Sequence, residues 1–67
     1  MPYDYIKRAY DVKPVVGDRI KHHVTKREGT IEREDFSMSH YVQVLFDGDA
    51  EPMPCHPTEM DYLGAPA

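Results

Sequence analysis

The sequence predicts an all-β domain: a small five-stranded barrel with a single helical turn before the last strand and a short N-terminal helical or irregular arm. Three observations predict it. The stretch Tyr41-Val42-Gln43-Val44-Leu45-Phe46 alternates β-branched and aromatic residues and ends on Asp47-Gly48, a tight-turn pair. Short apolar runs bounded by Gly, Pro and Asp recur on both sides of it. The body of the chain carries no long helical period.

Residues 1–14 differ in character from the rest of the chain. Tyr3, Ile6 and Tyr10 share a helical stripe, and Pro14 ends any helix there. A helix this short is marginal alone. The arm therefore either docks its tyrosines on its own domain or orders on a partner, where tyrosine is a favoured contact residue. Residues 15–63 form the body. Gly17-Asp18 turns the chain into a first strand over Arg19 to Val24, with Ile20, His22 and Val24 inward. Thr25 to Gly29 is a polar turn, with Gly29 free to take positive φ. Thr30 to Arg33 is the second strand, with Ile31 inward, and Glu34 to His40 is a loop with Phe36 and Met38 at its tip.

The central strand comes next, with Val42, Val44 and Phe46 on one face and Tyr41, Gln43 and Leu45 on the other. In Glu51-Pro52-Met53-Pro54-Cys55 the alternate prolines remove N–H groups from one edge, so this strand pairs on one side only. His56-Pro57-Thr58-Glu59-Met60 reads as the helical turn, Asp61-Tyr62-Leu63 as the closing strand, and residues 64–67 as a frayed end. The core candidates are Val15 or Val16, Ile20, Val24, Ile31, Val42, Val44, Phe46, Met53, Cys55, Met60 and Leu63.

With 67 residues the chain is one domain. A domain of that size buries only about 60% of its unfolded surface, too little to enclose a substrate cavity. A second copy of the chain is the nearest source of further burial, so a homo-oligomer is among the partners to consider. The lone Cys55, the absence of a signal-like start and the lack of a long apolar run point to a cytoplasmic protein without membrane contact.

Net charge is −4 and the pI about 5.4, against the basic footprint of general nucleic-acid binders. A local basic set remains in Arg19, Lys21, Lys26, Arg27 and Arg33. Adjacent residues on a strand point apart, so His56 is badly placed to activate Cys55, which reads as a core residue. Four histidines lack metal-ligand spacing, and no cofactor or metal site is expected. The carboxylates of Glu32, Glu34 and Asp35, and of Asp47, Asp49 and Glu51, are explained by turns or admit phosphate mimicry.

Val16-Gly17-Asp18-Arg19-Ile20, Gly29-Thr30-Ile31, the central strand and His56-Pro57-Thr58-Glu59 before Tyr62-Leu63 together resemble the SH3-like small barrels of the KOW and Tudor type. The resemblance spans about residues 15–63. The chain is also similar to small phage and prophage proteins with an aromatic, basic arm ahead of such a barrel. One SH3-like dihydrofolate reductase uses a Val-Gln-Ile-Tyr stretch on a late strand; here Val42-Gln43-Val44-Leu45 lies on the third strand, so that activity does not carry over.

The resemblance implies a non-catalytic protein-interaction module, a phage or mobile-element accessory protein that binds a host protein complex, with inhibition of that complex as an extension of the reading. Strand parity leaves Tyr41 and Leu45 outward with Phe36 and Met38 nearby in sequence, an apolar patch that with Tyr3 and Tyr10 of the arm gives the expected contact groups, unless the N-terminal tyrosines cover it. The alternative is a KOW-like nucleic-acid-binding barrel using the five basic residues. An enzyme assembled from a homo-oligomer is a third and weaker reading.

Overall fold

The computed structural model describes residues 3–66. Its elements are helix α1 (Asp4–Tyr10), strands β1 (Arg19–His22) and β2 (Glu28–Ile31), a 3-10 turn (Phe36–Met38), and strands β3 (Val42–Phe46), β4 (Met53–Cys55) and β5 (Met60–Gly64). The strands form one antiparallel sheet in the order β4-β3-β2-β1-β5. Among the described residues no helix is long and apolar enough to cross a membrane.

Side-chain alternation and the registers place one residue set on one face. Ile20 lies opposite Gly29, Gly29 opposite Phe46, Ile31 opposite Val44, and Val42 opposite Cys55. Ile20, Ile31, Val42 and Val44 are fully buried, and Phe46, Cys55 and Met60 nearly so. The inward parity expected of Val42, Val44 and Phe46 is therefore found.

The sheet curls around that face. Five strands laid flat would hold their outer edges about 19 Å apart. The link from β4 to β5 contains a turn closed by the Glu59 N–H donating to the His56 carbonyl at 3.0 Å. Such a turn keeps Cys55 and Met60 within roughly 15 Å of each other. The edges must approach, although no ladder joins them among the described residues.

Gly29 sits on the middle strand, inside the bend. A Cβ there would lie 2.7 Å from Val44 Cγ1 and 2.8 Å from the Leu45 carbonyl oxygen. Close approach, rather than a positive φ, requires this glycine, which corrects its reading as a turn residue. Lys26 takes the left-handed position instead, at φ 63°.

Several core expectations fail for local reasons. The β1–β2 turn starts at His23, because His22 Nδ1 accepts from the N–H groups of Val24 (3.2 Å) and Thr25 (3.4 Å) and closes the chain early. Val24 is left 78% exposed. Leu63 has the opposite parity to Tyr62 and is exposed, as are Val15 and Val16 before β1 and Met53 at the start of the edge strand. The segment 56–59 is a β-turn, not a helical one, and the 3-10 turn falls in the segment 34–40, expected to be loop.

The edge expectation for β4 holds. Both main-chain groups of Gln43 point towards β2: its carbonyl accepts from the Glu32 N–H, and its N–H donates to the Tyr3 hydroxyl. Pro54, opposite Gln43, thus faces away from β3 and presents an edge without an N–H.

The arm joins the same core. Tyr3 and Ile6 are fully buried with the strand residues, and Val12, Tyr10 and Tyr62 pack against them. The Tyr3 hydroxyl donates to the Glu32 carbonyl at 2.6 Å and accepts from the Gln43 N–H at 3.2 Å. It thereby completes the last rung between the end of β2 and the start of β3. Helix α1 covers this end of the concave face, and Tyr10 reaches His56 beyond β4. It stops at Asp11 (φ 54°), three residues before Pro14. Of the segment read as a frayed end, Gly64 is paired with Arg19, while Ala67, like Met1 and Pro2 of the arm, lies outside the described residues.

Candidate functional site

Phe36 is the most exposed large apolar residue described, at 85%. It begins the 3-10 turn, which Asp35 caps by accepting from the Ser37 N–H at 3.0 Å and from the Ser37 hydroxyl at 2.7 Å. These bonds keep the Asp35 carboxyl below the usual carboxylate range. The turn continues into Tyr41, whose N–H donates to the Met38 carbonyl at 3.0 Å. Met38 is half-buried and Tyr41 exposed.

Sequence reasoning missed Tyr5. The helical stripe of Tyr3, Ile6 and Tyr10 turns Tyr5 outward, and its ring meets His40 edge-on with centroids 4.7 Å apart. The Tyr3 N–H donates to Glu34 Oε1 at 2.8 Å, tying the helix start to the same loop. Phe36, Met38 and Tyr41 thus follow one another along the loop between β2 and β3, and helix α1 meets the same loop through Tyr5 on His40 and Tyr3 on Glu34.

The other expected contact residues lie elsewhere. Tyr3 is fully buried and has no surface to offer a partner. Burial, more than any charge, raises its pKa, with the Gln43 N–H opposing and Glu34 and Glu32 adding. Tyr10 is half-buried against His56, with ring centroids 5.2 Å apart. Leu45 is half-buried on the convex face opposite Thr30, most of a strand length from Tyr41.

The basic set is split. Arg19 makes two hydrogen bonds to the Asp47 carboxylate, at 2.9 and 2.6 Å, and one to Thr30 at 3.0 Å. The pair holds the Asp47 carboxyl low and raises Arg19. Arg27 donates to the Asp47 carbonyl and to Asp49, both at 3.1 Å, and lies 5.1 Å above the Phe46 ring centre. Lys21 sits in register between Glu28 and Asp61. Among the described residues Lys26 and Arg33 are exposed cations outside any ion pair.

Cys55 and His56 are not an activated pair. The thiol is nearly buried, and burial, with a contribution from Glu59, raises its pKa. His56 Nδ1 is turned to the Thr58 hydroxyl at 2.8 Å and the Thr58 N–H at 3.3 Å. Among the described residues no three His, Cys, Asp or Glu side chains are grouped to hold a metal ion.

At the opposite end from α1 the concave face opens into a cleft of about 290 Å³. It is lined by Phe46, Met53, Pro54 and Cys55 together with His22, Thr25, Arg27 and Asp49. The His22 ring lies edge-on to Phe46 with centroids 6.1 Å apart.

Among the described residues these features define a small, mostly β domain with an exposed Phe36 on a capped turn and a cleft beside Phe46. Comparison with protein-family models, with curated proteins and with solved structures finds no match for the chain.

Proposed function

We propose that this chain is a non-catalytic protein-interaction module built as an SH3-like small barrel, docking a protein partner on the loop that carries Phe36, Met38 and Tyr41, with Tyr5 against it. The observation that carries the reading is Phe36. An aromatic side chain 85% exposed, held by a capped 3-10 turn in the loop that leads to the exposed Tyr41, leaves apolar area in water that a partner would cover. The barrel assignment is supported by the curl that the 56–59 turn imposes and by Gly29 at its inner bend. The resemblance adds a phage or mobile-element setting and a host complex as the partner, with inhibition one consequence such binding can have; the cytoplasm is the compartment that the lone Cys55 and the absence of a signal-like start suggest.

Capture from the native host, followed by mass spectrometry, tests the reading. Phe36→Ser and Tyr41→Ala, both still folded, should lose the retained protein, and Leu45→Ser should keep it. Equal retention by all three ends the proposal. The nucleic-acid alternative is disfavoured because Arg19 and Arg27 are already engaged by carboxylates. Retention on a nucleic-acid column that salt and charge reversal at Lys26 abolish would restore it.

A further inference from the structure

The turn between β1 and β2 is closed by an imidazole nitrogen. His22 Nδ1 accepts from the N–H groups of Val24 (3.2 Å) and Thr25 (3.4 Å), so this nitrogen holds a lone pair and no proton. The proton of the neutral ring is then on Nε2, which faces Glu59 Oε2 at 3.5 Å. A second proton can enter only at Nδ1, where two donors already point. The cap and that proton exclude each other.

The other histidines are set differently. His56 Nδ1 takes the Thr58 N–H at 3.3 Å, but the Thr58 hydroxyl lies 2.8 Å from the same nitrogen and can reverse its role to accept. That turn is closed besides by the Glu59 N–H on the His56 carbonyl. His23 meets Asp61 through Nε2 at 2.9 Å, a contact that a second proton strengthens. His40 packs edge-on against Tyr5. Among the described residues only His22 must give up main-chain bonds to become charged.

The groups around the ring leave the new proton without an acceptor. Glu59, ahead of β5, is the carboxylate in ion-pair contact with His22 among the described residues, and it faces Nε2. Glu59 therefore holds the ring in either state while the amides part from Nδ1. Arg27, Asp49 and the Cys55 thiol line the cleft with His22, and Arg27 is tied to Asp49 at 3.1 Å. β3 offers the ring only the edge of Phe46. Lys26 donates its main-chain N–H to the His22 carbonyl. Lys26 also holds φ 63°, a left-handed backbone unfavourable for a residue with a Cβ, and Val24 is exposed, so little else retains the turn. Below it the His22 N–H donates to the Arg27 carbonyl at 2.9 Å, which keeps the strands paired.

We propose that the β1–β2 turn is a pH-sensitive device, closed by the neutral His22 ring and released when Nδ1 takes a proton. Release frees residues 24–26 and, through Thr25, one side of the cleft beside Phe46.

NMR relaxation and ring nitrogen shifts from about pH 8 to about pH 5, the interval in which histidine ordinarily titrates, test it. At the upper end the ring should carry its proton on Nε2. The amides of Val24, Thr25 and Lys26 should have order parameters near about 0.85 there and fall below about 0.6 at the lower end, while Arg27 and Thr58 stay rigid. His22→Asn, whose side-chain oxygen replaces Nδ1 as acceptor and does not titrate, should abolish the response to pH. His22→Ala should leave the turn mobile at both ends. A proton on Nδ1 at the upper end overturns the proposal, as does a wild-type turn equally ordered throughout. So does a response that persists in His22→Asn, or a turn that stays ordered in His22→Ala. The wild-type measurements decide without either variant should these fail to fold.

Discussion

Gly29→Ala places two opposing effects on one atom. In an ordinary strand position, alanine would stabilise the fold by about 0.4–1 kcal/mol by restricting the unfolded chain. Here the new Cβ would lie 2.7 Å from Val44 Cγ1, 2.8 Å from the Leu45 carbonyl oxygen and 3.0 Å from the Phe46 Cα. Two of these three atoms are backbone, so rotating a side chain cannot relieve the clash. β3 would have to move away from β2, at the upper end of the roughly 1–3 kcal/mol typical of an overfilled core. The steric loss therefore exceeds the entropic gain, and the net expectation is a destabilisation of about 2 kcal/mol. A domain this small has only about 3–10 kcal/mol in total, so Tm should fall by roughly 8–16 °C. Urea and thermal unfolding followed by circular dichroism measure it. A Gly29→Ala protein as stable as the wild type would refute the tight bend, and with it the curled sheet.

Three further expectations concern single groups. Tyr3→Phe removes the hydroxyl between Glu32 and Gln43, leaving a buried carbonyl and N–H unpaired; it should cost about 1–3 kcal/mol and speed amide exchange at Gln43, and unchanged exchange would contradict the bridge. The Tyr62 pKa is pushed up to about 12, first by burial and then by Cys55 and Tyr3. Its neutral form is favoured by the fold, so the stability it contributes is complete below about 10, where the unfolded phenol titrates, and is lost from there through about 12. The urea midpoint should fall over that window and fall less in Tyr62→Phe. Cys55, buried with a raised thiol pKa, should resist alkylation in the folded protein and react at the rate of a free thiol in urea; equal rates in both would place it on the surface.

What could be read from the sequence comes from short-range rules. Side-chain alternation sets the faces of Val42, Val44 and Phe46, and helical spacing puts Tyr3 and Ile6 on one stripe. The alternate prolines place the missing N–H of Pro54 on an outer edge. Phe36 reads as exposed because no period surrounds it. Each of these rests on residues only a few positions apart.

Contacts between distant segments decided the rest. Gly29 resembles any turn glycine until β3 folds over it, and Val24 looks like a strand residue until His22 closes the turn beneath it. Arg19 and Arg27 look like a basic patch until the Asp47-Gly48-Asp49 turn swings against them. The Tyr3 hydroxyl finds its rung 40 residues away, at Gln43. The cleft beside Phe46 likewise needs the β1–β2 turn, the end of β3 and the start of β4 to meet. Periodicity is a property of neighbouring residues, so composition and spacing disclose it; closing a sheet on itself depends on distances across the fold, which no local pattern encodes.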